Sequence, residues 1–491
     1  MLEAAELGAK LKKADYESRL PQLRADLIQA QQDLRSAGFG VIVLIAGDDH
    51  RGCHAAINTL NEWLDPRGIR VHVFEDPTQE EAERPVFWRY WRALPANGRI
   101  GIFSGAWMFR AVADRLCKRT REAEFDVALE RIRRFEGELA DAGTLVVKFW
   151  LHRPEKPAVA ELEKVREHPE RYGAFGRTDQ AMLDDFPRSM RVVERSLRET
   201  ESASIPWHLV ESTDKRHRDW TIAATVLAAL QRHLARGASG DPAAATAWYG
   251  TPDHCSILDT VDLTQQLAKD DYRLLLARRQ RKIRKLTLGH RQSSPTAVLL
   301  FEGWDAAGKG GVIRRLCAAI DAPCYDVVPI AAPSDEERAR HYLWRFWRHI
   351  PRRGHITVFD RSWYGRVLVE RVEGFAREDE WRRAYAEIND FEEQLAEAGI
   401  AVCKFWLHID RDEQLARFQA REQTPFKRYK ITEEDYRNRG QWPAYEQAIN
   451  DMIAHTSTEF APWHLIAAND KRHARIAVLS TVAKALKHVS G

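Results

Sequence analysis

Residues 297–311 read AVLLFEGWDAAGKGG, and residues 41–55 read VIVLIAGDDHRGCHA. Each is an apolar, β-prone run that stops at a glycine and continues into a short turn. The later turn carries Gly303, Gly308, Gly310 and Gly311 together with Lys309. A strand, a glycine-rich turn and a following helix let backbone N–H groups close around a phosphate. The helix dipole and the lysine ammonium then face the anion. The earlier turn aligns Gly47 with Gly303 and places Cys53 where the lysine stands. One copy of the loop is intact; the other lacks its charge.

The two halves match at one fixed offset, 303 − 47 = 256. That offset carries Trp88 to Trp344, Trp91 to Trp347, Phe135-Glu136 to Phe391-Glu392, and Lys148-Phe-Trp-Leu-His152 to Lys404-Phe-Trp-Leu-His408. It also carries Pro206-Trp-His-Leu209 to Pro462-Trp-His-Leu465. A repeat of this period means two copies of a whole domain. Residues 235–253, rich in Gly, Ala and Pro, place the boundary, giving domains at 1–236 and 257–491. Apolar runs at 41–47, 70–75, 99–104, 144–151 and 206–212 read as strands. So do those at 296–303, 325–331, 355–360, 401–409 and 462–468. Longer helical stretches separate them. Such alternation predicts an α/β fold, two tandem P-loop kinase-like domains, each a five-stranded parallel sheet between helices. Ligands in such sheets bind at the carboxyl ends of the strands.

Composition sets bounds. A chain of 491 residues, 44% hydrophobic and 30% charged, is an ordinary globular profile. No apolar run approaches the roughly 18 residues that cross a bilayer. The first residues, MLEAAELGAKLKKADYE, carry early acids and no apolar core, unlike a secretory signal. The six cysteines form no CxxC pair, which points to a reducing cytoplasm and away from zinc or disulfides. Net charge is +3, but basic clusters occur at 278–284, 345–353 and 427–430. Each suits either a polyanion or a solvated helix face.

In the usual phosphate loop a Ser or Thr follows the lysine and its hydroxyl binds magnesium. Here Gly310 follows Lys309, so a carboxylate must replace that ligand. Asp305 inside the loop and Asp360, which ends the run HITVFD, are the candidates; Mg²⁺ takes one or two carboxylates plus phosphates and waters. Asp360 also suits a helix N-cap, and the two roles are compatible. Arg361 and Arg366 can spread charge over a phosphoryl group in flight. Arg110 stands at the position equivalent to Arg366, which equally fits a packing or ion-pair role. The stretch 416–442 is polar, basic and broken by Pro425, and reads as a mobile helical lid or a surface helix. Arg417 and Arg421 share one helix face within it, and with Lys427 and Arg428 they are expected to bind phosphate or nucleotide. Asp470-Lys471-Arg472 either borders the nucleotide or serves structure, since the first half keeps the same triplet.

At the same offset Lys309 becomes Cys53, Gly310 becomes His54, Asp360 becomes Ser104 and Arg361 becomes Gly105. The first half lacks both the charge clamp and the second acid, and is expected to be an inactive copy. Cys53-His54 is no catalytic pair, because adjacent residues in a turn rarely face each other.

The stretches EGWDAAGKGG (302–311), FDRSWYGR (359–366), KFWLHI (404–409) and PWHLI (462–466) resemble polyphosphate kinase family 2. The resemblance covers most of the second half and echoes in the first. It implies Mg²⁺-dependent transfer of a phosphoryl group from inorganic polyphosphate to a nucleotide. It also implies Asp305 and Asp360 as metal-organising acids, Lys309 on the phosphates, and Arg361 on transition-state charge. The fused arrangement with a degenerate first copy is similar to polyphosphate:AMP phosphotransferases. Expected partners are therefore polyphosphate and AMP, possibly ADP, and neither nucleic acid nor membrane. The halves are expected to form a pseudo-dimer within one chain, with further oligomers open. Competing readings are formation of ATP from ADP, an ATP-using nucleotide kinase, and a phosphate-sensing scaffold.

Overall fold

A computed structural model describes residues 1–172, 176–239, 256–288, 294–424 and 433–489. The expected linker at 235–253 falls largely outside them. The chain divides into two compact units. The first comprises Met1–Pro77, Arg89–Ala243 and Ser334–His341; the second comprises Thr78–Trp88, Ala244–Pro333 and Tyr342–Gly491. Each unit thus takes in a short segment from the other half of the sequence, which contiguous domains at 1–236 and 257–491 did not anticipate. The segments are held by equivalent bonds: Arg84 donates to the Ile350 carbonyl in the second unit, and Arg340 to the Leu94 carbonyl in the first.

The first unit holds β1 (Val41–Gly47), β2 (Ile69–Val73), β3 (Ile100–Ser104), β4 (Leu145–His152) and β5 (Trp207–Glu211). Its sheet is parallel, in the order β2-β3-β1-β4-β5. The second holds β6 (Thr296–Gly303), β7 (Tyr325–Pro329), β8 (Ile356–Asp360), β9 (Ile400–His408) and β10 (Trp463–Ala467). Its order, β7-β8-β6-β9-β10, is the same topology, and the register repeats as well: Val41 faces Ile100 and Ala297 faces Ile356. The ten predicted strands are all present, with ends shifted by two residues or fewer.

All seven residues of β1 and the first seven of β6 are buried, because helices cover both faces of the sheets. The helices bearing on the sites are α1 (Lys13–Leu34), α2 (His50–Trp63), α3 (Glu122–Asp141) and α4 (Lys215–Ser239) in the first unit. In the second they are α5 (Lys269–Thr287), α6 (Lys309–Cys317), α7 (Glu378–Glu397), α8 (Arg411–Glu422), α9 (Glu433–Gly440), α10 (Trp442–Thr456) and α11 (Lys471–Val489). β6 lies between β8 and β9, so the chain leaves its carboxyl end where strand order reverses, which opens a crevice there.

The lysines inside the KFWLH runs lie in the core. Lys404 and Glu392 are both 0% exposed and pair at 2.7 Å. Lys404 also donates to the Thr456 carbonyl, while Trp363 and Tyr364 donate to Glu392. Lys148 and Glu136 repeat the pair at 2.7 Å, with Trp107 on the carboxylate. A buried pair contributes little net stability, but losing one partner strands a charge in the core.

Lys404→Met should therefore lower the stability of the second unit by about 3–5 kcal/mol. Urea unfolding checks this. The double change Lys404→Met with Glu392→Leu should cost less than Lys404→Met alone.

Candidate active site

β6 ends at Gly303, whose φ is +145°; a Cβ there would lie 2.5 Å from the Leu407 carbonyl oxygen of β9. Only glycine tolerates that approach, and it lets the backbone turn away from the sheet directly above its edge. The turn closes through Ala306 (φ +64°) and Gly308 (φ +112°). Helix α6 then begins at Lys309. The Lys309 ammonium folds back to donate to the carbonyls of Gly303 (2.6 Å) and Trp304 (3.4 Å). Burial lowers its pKa, with Arg361 adding to the effect and Asp305, Glu302 and Asp360 opposing it.

The loop is tied down by Arg417 of α8, which is 5% exposed. Its Nη1 donates to the carbonyls of Ala306 and Ala307, both at 2.9 Å. Its Nη2 donates to Ala468 (2.7 Å) and Asn469 (2.9 Å) just past β10, and Glu413 accepts from Nε. Sequence reading placed Arg417 on substrate phosphate. The structure instead commits its donors to loop carbonyls and one carboxylate, so it positions the loop. Arg366, also expected on phosphate, pairs with Glu370 at 3.2 Å and lies over the Tyr342 ring at 4.5 Å. Arg421 does line the cavities beside the loop. Lys427, Arg428 and Pro425 lie outside the described residues, as does the middle of the expected lid; α8 and α9 are its described flanks.

Asp305, Asp360 and Arg361 converge with Lys309 on one cavity of about 1150 Å³. Asp305 approaches the Arg361 guanidinium at 3.4 Å and accepts from Asn438 of α9 at 3.2 Å. Asp360 ends β8, and among the described residues its carboxylate has no hydrogen-bond partner. Arg361 follows with φ +65°, a left-handed conformation that costs a non-glycine residue about 1–3 kcal/mol. Its amide is held by the Phe301 carbonyl. Sequence reading overlooked Arg314 and Arg315, which also line this crevice, and Arg475, which lines a cavity beside it. Arg314 and Arg315 were legible as basic residues in the first helix after the loop. Of the triplet 470–472, Lys471 lines the same neighbouring cavity as Arg475, Asp470 caps α11 through the amides of Arg472 and His473, and Arg472 turns to the Leu267 carbonyl.

Three cavities adjoin the loop. One of about 680 Å³ has mostly apolar walls, including Trp304, Leu368, Val369, Trp406 and Tyr445. The 1150 Å³ cavity, and another of about 930 Å³ that shares Gly308, Gly311 and Arg421 with it, are lined by Arg and Lys. Lys309 belongs to both the apolar and the larger cationic cavity.

The first unit reverses this charge. At equivalent positions Arg417 becomes Glu161, Arg475 becomes Asp219, Arg421 becomes Val165, and Arg314 and Arg315 become Asn58 and Thr59. Asp49 accepts from the Gly52 amide (2.9 Å) and Ser212 (2.6 Å) and pairs with Arg153 (2.8 Å). Arg51 pairs with Glu161, and Arg218 with Asp219 at 2.7 Å. Internal ion pairs stand where the second unit presents cations. Cys53 is buried, and burial first, then Asp49 and Asp48, push its thiol pKa well up, so it is a poor nucleophile.

A single exchange, Asp48 for Trp304, re-wires the strand ends. Asp48 accepts from Trp150 and His152, both at 3.0 Å. Burial works to lower the His152 pKa, but Asp48 and Glu6 outweigh it and raise it. In the second unit Trp304 donates its own Nε1–H to His408 Nδ1 at 3.0 Å, which requires a neutral ring, and burial lowers the His408 pKa to about 4.

A lysine-bearing loop after the central strand of a parallel sheet, facing two carboxylates and a ring of cations, defines a P-loop phosphoryl-transfer site. The model of the family "Polyphosphate kinase 2 (PPK2)" matches residues 10–237 and 266–490, and the chain belongs to that family. It is 46% identical over 492 residues to a polyphosphate:AMP phosphotransferase of Pseudomonas syringae pv. tomato, covering 99% of this chain and 98% of that one. It is 47% identical over 490 residues to a protein of the same name from Pseudomonas aeruginosa, covering 99% of each. The crystal structure of a polyphosphate kinase 2 from Pseudomonas aeruginosa PA01 superposes with a TM-score of 0.89 at 46% identity, over 100% of this chain and 99% of that chain.

The His408 shift has a stability consequence. The unfolded chain takes up this proton near 6.5, the folded one only near 4, so the unfolded state binds more protons between those values. The contribution is complete above pH 6.5 and is lost as pH falls towards 4, by about 3 kcal/mol in all. Urea midpoints of the second unit should drop between pH 7 and 4.5, and His408→Gln should flatten that slope.

Proposed function

We propose that this chain moves the terminal phosphoryl group of inorganic polyphosphate to AMP, giving ADP. The observation that carries the reading is Lys309, shared by an apolar-walled cavity on one side and a cationic crevice on the other. The first suits a nucleoside, the second a chain of phosphates. Full-length likeness to polyphosphate:AMP phosphotransferases supports AMP as acceptor.

An oxygen of the AMP phosphate attacks the terminal phosphorus, the P–O bond to the next phosphate breaks, and the shortened polyphosphate leaves with the electron pair. The acceptor is already an anion, so no general base is required. Alignment and charge neutralisation carry the rate, with Lys309 and Arg361 nearest the transferring group. One anhydride replaces another, so the reaction runs both ways. Asp305 and Asp360 are the residues that would hold magnesium. The fit rests on two carboxylates lining one crevice, one of them without a side-chain partner among the described residues, a donor set that suits a hydrated cation shared with phosphates. When bound, the ion supplies further neutralisation of donor and acceptor oxygens.

The first unit does not transfer phosphoryl groups in this reading, because its loop charges are paired internally. No helix among the described residues is long and apolar enough to cross a membrane. The five described cysteines are free, which supports a reducing cytoplasm.

With polyphosphate, Mg²⁺ and AMP, the wild type should form ADP. Lys309→Ala should lower kcat/KM by roughly 10³. Asp360→Asn should do so comparably, while Cys53→Ala stays within about twofold of wild type. Product separation reads all three. Undiminished ADP formation by Lys309→Ala would refute the assignment.

A further inference from the structure

We infer that the Trp406 indole N–H and the Asn438 side-chain carbonyl recognise the base of the acceptor nucleotide. The inference rests on reading the apolar-walled cavity as the acceptor pocket.

Trp406 of β9 is 3% exposed and lines that cavity. Its ring meets Trp304 edge-on at 5.9 Å. Among the described residues its Nε1–H has no hydrogen-bond partner. Leaving a buried donor unpaired costs roughly 1–3 kcal/mol, so a fold retains one chiefly where something else pairs it. The other copy shows that this fold has a ready solution. Trp150, the equivalent residue, donates to Asp48 at 3.0 Å. In the second unit Trp304 replaces that aspartate and turns its own N–H to His408. The exchange removes the acceptor and leaves the Trp406 donor, in a residue of the cavity wall, without a partner among the described residues.

Asn438 of α9 lines the same cavity. Its Nδ2 donates to the Asp305 carboxylate at 3.2 Å, which fixes the amide orientation, since a carboxylate only accepts. Its Oδ1 is buried and has no partner among the described residues. Two residues of the cavity wall, beside Leu368, Val369, Trp304 and Tyr445, thus carry one unpaired buried donor and one unpaired buried acceptor among the described residues. A purine with a ring nitrogen beside an exocyclic amino group, as in adenine, presents the complement. Asp305 links this recognition to the phosphate loop, because it holds Asn438 with one oxygen and approaches Arg361 with the other.

The test uses the full chain and reads AMP binding by calorimetry without polyphosphate, alongside steady-state kinetics. Trp406→Phe keeps the ring and removes the donor. The dissociation constant and KM for AMP should rise about 5- to 10-fold, with the KM for polyphosphate within twofold. Trp150→Phe should leave AMP binding unchanged. Either 1-deaza- or 7-deaza-AMP should bind wild type more weakly than AMP by the same factor and bind Trp406→Phe no more weakly than AMP does, while 3-deaza-AMP, whose missing nitrogen has no neighbouring amino group, should bind as AMP does. Unaltered AMP affinity in Trp406→Phe, or equal deaza losses in both proteins, overturns the inference. If Trp406→Phe does not fold, the wild-type series decides alone: 1-deaza- and 7-deaza-AMP both binding as tightly as AMP overturn it. A wild type that binds AMP but forms no ADP from polyphosphate would sink the functional reading and leave this one standing.

Discussion

A phosphate loop must hold several N–H groups and a lysine close together before any anion arrives. In the second unit that constraint is met by one guanidinium. Arg417 ties two loop carbonyls to two carbonyls beyond β10, so the loop is fixed to the sheet from behind while its amide side stays open to the crevice. Arginine suits this task because its donors form a rigid planar fork and its charge persists when buried. Lys309 is held by loop carbonyls in the meantime. The transferring group would exchange those neutral contacts for charged ones.

The first unit shows what the same backbone does without that charge. Its sheet order, register and buried Lys–Glu pair are those of the second. The fold therefore does not depend on a working loop. Glu161 occupies the place of Arg417, and Arg153 and Arg218 are matched by Asp49 and Asp219. A site that has turned its cations into ion pairs has no surplus to offer a polyanion. Fold and chemistry are separable here within one chain.

Much of this was legible in the amino-acid sequence. The strands were readable because parallel strands buried on both faces are nearly continuous apolar runs, Gly303, Asp305 and Lys309 because their chemistry fixes their spacing along one strand–turn–helix unit, and Asp360 because it is the acid that ends the apolar run of β8. Arg417 was found but misassigned, since spacing along a helix says which face a guanidinium shares and not which carbonyls it meets. Arg366 was read from its place shortly after Asp360, which says nothing of its pairing with Glu370, and its equivalent Arg110 was the hint. Arg475 could not be found, because its place beside the loop depends on α11 packing back against α6, a long-range contact. The segments at 78–88 and 334–341 were likewise invisible, as no local pattern records which compact unit a short segment belongs to.

The central claim is that positive charge for handling a polyanion survives in one loop only. Calorimetric titration of the intact protein with a short, non-transferring phosphate chain such as tripolyphosphate, in magnesium and without nucleotide, counts such loops directly. One equivalent bound per chain, with affinity falling as salt rises, is the expected result. Two equivalents of similar affinity would contradict it.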